Sequence, residues 1–189
     1  MRRRAEQVDE TRLRITEAAV RLHTTVGPAN TSIASVAQEA GVTRLTVYRH
    51  FADLDSLFEA CTAHWRAQHA PPDAEDWAAT PGLGDRARRG FGELYAWYRE
   101  HSEELYPIYR DAASIPRSAQ LATNERNAYL AEAILAEDAS DPTAYDVALV
   151  GAIARHLVAF RTWHSLAVEQ GLDHEACVSV AVLMLTAVV

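Results

Sequence analysis

Apolar residues recur at spacings of three and four along almost the whole chain, and nowhere do they alternate over the run a strand needs. That periodicity excludes sheet-based architectures and leaves an all-α fold, cut into short helices by glycine, proline and capping residues. Residues 10–26 form the first amphipathic stretch. Leu13, Ile15, Ala18, Ala19, Leu22 and Val26 make its apolar stripe, and Arg12, Arg14, Glu17 and Arg21 take the other face. Gly27-Pro28 stops it. Thr31 is placed to cap a second helix with Ile33, Val36 and Ala37 inward, which Gly41 ends after about two and a half turns. Thr43 caps a third helix with Val47 and Phe51 on one face. Asp53 caps a fourth that carries Leu54, Leu57, Phe58, Cys61 and Trp65.

Residues 70–84 are rich in proline, glycine and small side chains and read as a linker, dividing a domain at 1–69 from one at 70–189. The helical pattern then resumes. Phe91, Leu94, Tyr95 and Tyr98 form one stripe, Leu105, Ile108 and Tyr109 mark a short helix, and Leu121 through Leu135 make another. Asp141-Pro142 is a start signal, and the pattern after it predicts one helix to about Gly171, about 40 Å long at 1.5 Å per residue. Gly171-Leu172-Asp173 reverses the chain into a final helix over 174–189. The expected total is about nine helices.

Several chemistries find no support. No apolar run reaches the roughly 18 residues of a membrane span, and the polar start Met1-Arg2-Arg3-Arg4-Ala5-Glu6 lacks a secretory core, so a cytoplasmic location is expected. Cys61 and Cys177 stand far apart and read as reduced core residues. Of the eight histidines, His64 and His69 are five apart and His156 and His164 eight apart, neither the spacing that sets two imidazoles on one ligand face; no metal site is expected. A phosphate loop, a nucleophile elbow and a Cys/His dyad close in sequence are all missing, so no cofactor, no catalytic residue and no enzyme activity is expected.

Charge divides the chain unevenly. Every basic residue is arginine; there is no lysine. Residues 1–50 hold eight arginines against five acids, a net +3, while the remaining 139 hold ten against 21, a net −11. A polyanion would meet the head. There, residues 31–51 fit a helix-turn-helix. Ala37 is small enough for a tight helix crossing, Gly41 permits a left-handed turn, and Val42 plugs the gap between the helices. The helix that follows keeps only Val47 and Phe51 inward. Thr43, Arg44, Thr46, Tyr48, Arg49 and His50 form an outward row of the kind that reads base edges and grips phosphates.

The run Thr31-Ser32-Ile33-Ala34-Ser35-Val36-Ala37-Gln38-Glu39-Ala40-Gly41-Val42-Thr43-Arg44-Leu45-Thr46-Val47-Tyr48-Arg49-His50-Phe51 resembles the DNA-binding signature of the TetR family of bacterial transcriptional regulators, with the motif at about 32–51 and the likeness extending over 10–69. The resemblance implies a ligand-responsive repressor that binds a palindromic operator on double-stranded DNA as a homodimer. It implies that Thr43 caps the recognition helix and touches a phosphate, that Arg44, Leu45 and Thr46 face bases, and that Tyr48 and His50 hold the backbone. Thr31, Ser32 and Arg49 complete the DNA-facing set. Leu54 departs from the pattern, standing where the family usually places a phosphate-binding lysine. Leu45, where many relatives carry glycine, is suited to a thymine methyl. Arg2, Arg3 and Arg4 read either as an arm toward the adjacent groove or as a free chain end.

In the acidic body, Ala148, Gly151, Ala152, Val158, Val182, Leu183 and Leu185 put apolar residues on more than one face of the last two helices, which calls for a second copy of the chain. Tyr95, Trp97, Tyr98, Tyr109, Tyr129, His156, Phe160 and Trp163 are the candidate lining of a pocket for a small aromatic or lipophilic effector, with Arg161 leaving room for an anion. Each of these aromatics also reads as core at helical spacing. Two rival readings stay open: a helical enzyme, or a regulator that answers to a partner protein, with the DNA-binding head vestigial.

Overall fold

The computed structural model describes residues 2–136 and 147–188, with side chains over 7–136 and 148–188. All regular elements among these residues are helical: α1 (Arg2–Thr25), α2 (Ile33–Glu39), α3 (Arg44–His50), α4 (Leu54–Gln68), α5 (Glu75–Ala78), α6 (Leu83–Glu100), α7 (Ser102–Arg110), α8 (Arg117–Leu135), α9 (Val147–Leu157), α10 (Phe160–His164) and α11 (His174–Thr186). They gather into two units, residues 1–70 with 103–122 and residues 71–102 with 123–189. The helix start expected at Asp141-Pro142 lies outside the described residues.

In the first unit α1 packs against α2 and α4. Ile15, Ala18 and Ala19 meet Val36, Ala37, Val47, Phe51, Leu57 and Phe58 in one apolar cluster. Leu13 and Val26, expected in the same stripe, are instead 46% and 44% exposed. The geometry of the helix explains both. Leu13 sits about 200° around the axis from Ile15 at 3.6 residues per turn, and Val26 falls one residue beyond the end of α1. The turn that follows uses Gly27 at φ +91°, where any β-carbon would also collide with the Asp111 carboxylate. Asp111 accepts a hydrogen bond from the Ala29 amide at 3.1 Å, and Arg110 donates to the Val26 carbonyl at 2.9 Å.

Ser32, not Thr31, caps α2. Its hydroxyl accepts from the Ser35 amide at 3.1 Å while the Ser35 hydroxyl accepts from the Ser32 amide at 2.8 Å, a reciprocal box that satisfies two free helix-end donors. The Thr31 hydroxyl turns back to the Gly27 carbonyl at 2.9 Å. Thr43 and Asp53 cap α3 and α4 as expected, accepting from Thr46 and Ser56 amides.

The second unit is built around α6 against α11. Phe91, Leu94, Tyr95 and Tyr98 are all fully buried, as their stripe predicted. Two expectations fail here. The stretch 70–84 is not a bare linker: it holds α5, whose Trp77 is fully buried and donates its indole N–H to Glu93 at 2.7 Å. The long helix predicted up to Gly171 is broken at Val158-Ala159, where Ala159 is extended (ψ 139°) and α10 starts afresh, followed by a single π-helical turn over Ser165–Glu169. The break frees two buried carbonyls. The Tyr95 hydroxyl donates to that of Leu157 and the Tyr98 hydroxyl to that of Val158, each at 2.8 Å, and the Thr162 hydroxyl closes on the His156 carbonyl. Arg86, also buried, serves the end of α8 in the same way, donating to the Ile134 carbonyl at 2.7 Å. α5 and the break raise the helix total above the expected nine.

Candidate nucleic-acid interface

Gly41 adopts φ +66° and nothing lies within 4 Å of where a β-carbon would stand. The turn therefore requires the left-handed conformation rather than room, and glycine is the residue that adopts it without steric cost. The Val42 amide reaches back to the Ala37 carbonyl at 2.9 Å, and this bond fixes the angle at which α3 leaves α2. Val47 and Phe51 anchor α3 in the core. With those two inward, the opposite face is set by helical spacing alone.

That face carries Thr43, Arg44, Leu45, Tyr48 and Arg49, all exposed, with Thr46 and His50 half-buried beside them. Leu45 is 71% exposed and Tyr48 56%, an unusual display of large apolar surface on so short a helix. The Thr43 and Thr46 hydroxyls meet at 2.9 Å, so both are held in place by the cap. Ser32 is exposed at the start of α2, while Thr31 is half-buried with its hydroxyl engaged. Leu54 opens α4 at 59% exposure, leaving an apolar side chain beside the amides of that helix end. The Ser56 amide holds the Asp53 carboxyl below the ordinary carboxylate range.

A further residue, given no role beyond the polar face of α1, fixes α3 from behind. The Arg12 guanidinium donates to the His50 carbonyl at 2.5 Å and lies 4.1 Å above the Phe51 ring. It thereby supplies the C-terminal end of α3 with both a donor and a positive charge. The 38 residues that separate the partners leave no local signal to find it by. Arg21 and Glu39 form a second tie, from α1 to α2, at 2.9 Å.

The proposed effector residues do not form one group. Tyr95, Tyr98, Phe160 and Trp163 are buried and pack on each other, Phe160 edge-on to Tyr98 at 5.3 Å. Trp97 is half-buried beside His101, whereas Tyr129 and His156 are exposed. Tyr109 belongs to the other unit and is half-buried there. Arg126 lies over the rings of Trp97 and Tyr98 and donates to the Tyr98 hydroxyl at 3.2 Å. Among the described residues no group of three or more His, Cys, Asp or Glu is placed to hold a metal ion, and no helix is long and apolar enough to cross a membrane.

An anchored short helix presented through a glycine turn defines the first unit as a helix-turn-helix domain. Residues 15–61 match the profile of bacterial regulatory proteins of the tetR family. The match covers the head alone. The chain is 40% identical over 57 residues to the HTH-type transcriptional regulator AcrR of Shigella flexneri, and 43% identical over 60 residues to TtgR of Pseudomonas putida. These stretches are 30% and 32% of this chain but only 26% and 29% of those relatives. Solved structures extend the likeness in fold. A tetR-family regulator from Streptomyces coelicolor aligns with 95% of this chain and 78% of its own at TM-score 0.60 and 20% identity. The regulator FadR of Bacillus subtilis, solved with stearoyl-CoA, aligns over 94% and 99% at TM-score 0.60 and 16% identity.

Proposed function

We propose that the protein is a cytoplasmic, ligand-responsive transcriptional repressor that binds a palindromic operator as a homodimer. The observation that carries this reading is the outward row on α3, held by a cap at one end and by Arg12 at the other. A helix kept only for packing has no reason to display Arg44, Leu45, Tyr48 and Arg49 together. In the complex Arg44 reads a guanine edge, Leu45 meets a thymine methyl, and Thr43, Tyr48 and His50 grip phosphates on either side, with Ser32 and Thr31 at the start of α2. Leu54 contributes no charge, so α4 offers the backbone its first amides instead.

The second copy covers the apolar faces of α9 and α11, where Leu149 and Leu183 are 53% and 68% exposed while Ala154, Leu157, Ala181 and Leu185 point inward. Two-fold symmetry then sets the half-sites about one helical turn, or a multiple, apart. The effector is a small aromatic or lipophilic compound bound in the second unit, a class consistent with the acyl-CoA seen in the FadR neighbour. By favouring a dimer geometry that no longer fits the half-site spacing, it lowers operator affinity.

Selection of binding sites from random duplex DNA at moderate salt is the test. Enrichment of an inverted repeat is the expected outcome. Arg44→Ala should then lower affinity by about 10- to 100-fold and relax preference at one base position, and Tyr48→Phe, which removes a neutral phosphate donor, should weaken all sequences alike while leaving the salt dependence unchanged. Recovery of no common sequence by a protein confirmed as dimeric would overturn the reading.

A further inference from the structure

The first unit contains a cavity of about 240 Å³ that none of the DNA-facing roles uses. Ile33 and Val36 from α2, Leu57 and Phe58 from α4, and Ile115 form the apolar part of its wall, and Thr31, Ser32 and Asp55 add polar groups. His23 of α1 also lines it, nine-tenths buried. The surrounding bonds decide what this imidazole offers. The Cys61 thiol donates to the Phe58 carbonyl at 3.1 Å, so the 3.4 Å contact between Cys61 Sγ and His23 Nδ1 is assigned the proton on Nδ1. Nε2 is left as a lone-pair acceptor, and no protein donor among the described residues reaches it. Burial pushes the His23 pKa down to about 4, so the ring stays neutral and the acceptor persists at physiological pH.

We propose that this cavity is a small-molecule site within the DNA-binding unit itself, and that it takes a single-ring phenol whose hydroxyl donates to His23 Nε2. Size sets the first limit: the space exceeds the ~150 Å³ that holds benzene and falls just short of the ~300 Å³ at which pockets for drug-sized ligands begin. Chemistry sets the second. A ligand that fills the space shields Nε2 from water, so one whose hydroxyl replaces that hydrogen bond is favoured over its hydrocarbon counterpart. Charge sets the third. Asp55 lines the cavity and no arginine does, which disfavours carboxylates. The Phe58 ring, 5.2 Å from that of His23, supplies an aromatic face for the ligand. Thr31 and Ser32 border the same space, so occupancy bears on how the start of α2 is held. That consequence rests on the operator reading; the binding does not.

The test is a titration of the 15N-labelled full-length protein with p-cresol and, in parallel, with toluene, followed by amide chemical shifts. The expected result is saturable movement of residues 23, 33, 36 and 58 by p-cresol, with toluene binding at least about tenfold more weakly. His23→Leu should lower p-cresol affinity to the toluene level while leaving toluene unchanged, and Ile115→Trp, which fills the cavity, should abolish both. Equal affinities of the two probes for the unmodified protein would overturn the proposal. Saturation mapping to other residues, or no saturable shift, would overturn it as well. Should His23→Leu fail to fold, the ratio of the two probes and the Ile115→Trp variant decide the matter alone. None of these readouts uses DNA, so an error in the proposed function leaves them intact.

Discussion

Carbonyls at the C-terminal ends of helices need donors in both units, and the two units supply them differently. In the first, the His50 carbonyl of α3 takes the exposed guanidinium of Arg12. In the second, the Leu157, Val158 and Ile134 carbonyls take buried groups, the hydroxyls of Tyr95 and Tyr98 and the guanidinium of Arg86. Water can stand in for the first kind of donor and cannot reach the second. Polar side chains therefore tune the head at little stability cost, whereas in the body they are part of what keeps the fold.

His23 breaks this pattern, and with the largest expected effect. It is a titratable group buried in the head, where desolvation depresses its folded pKa to about 4 from the ordinary 6.5. The stability it permits is fully present above pH 6.5 and is lost as the pH falls toward 4, because the unfolded chain binds the proton first. The loss approaches about 3 kcal/mol before levelling off. Hydrogen exchange between pH 7 and 4.5 should therefore show α1 and α4 opening while α6 and α11 keep their protection. Equal loosening of both units would refute the assignment.

The tyrosines sharpen the comparison. Tyr95→Phe and Tyr98→Phe each remove a donor from a buried carbonyl and should each cost about 1–3 kcal/mol, read as a lower Tm in thermal melts. Gly41→Ala comes next, at about 1–2 kcal/mol, since φ +66° is strained for a β-carbon even where space is open. Arg12→Met should cost least, under about 1 kcal/mol in a denaturant melt. Yet the same change should lower operator affinity several-fold by loosening the end of α3. An Arg12→Met protein with full affinity would show that α3 is held by Val47 and Phe51 alone.

Much of the head was legible because its information is local. Gly41, the caps Thr43 and Asp53, and the anchors Val47 and Phe51 all act within a few residues of themselves. Where Thr31 was expected to cap α2, a neighbouring serine won because Ser35 completes a reciprocal pair that Thr31 could not make. The body hid more. Nothing between His156 and Thr162 signals a helix end, neither glycine nor proline, because the break at Ala159 is stabilised by tyrosines some 60 residues away in sequence. Tyr95 and Tyr98 read as candidate effector lining because aromatic, polar-tipped residues are numerous in this stretch, and nothing near them in the chain shows that their hydroxyls serve these carbonyls. Trp77 escaped notice because its short helix sits among residues that individually favour loops, and its anchor, Glu93, lies on α6.

The cysteines have a consequence of another kind. Each unit encloses one free thiol, Cys61 in the first and Cys177 in the second, both buried and both pushed toward the unreactive protonated form, Cys61 to a pKa of about 12. Neither can be alkylated until its surroundings part. The chain thus carries two built-in clocks, and the separate rates at which iodoacetamide modifies them count how often each half of the protein opens.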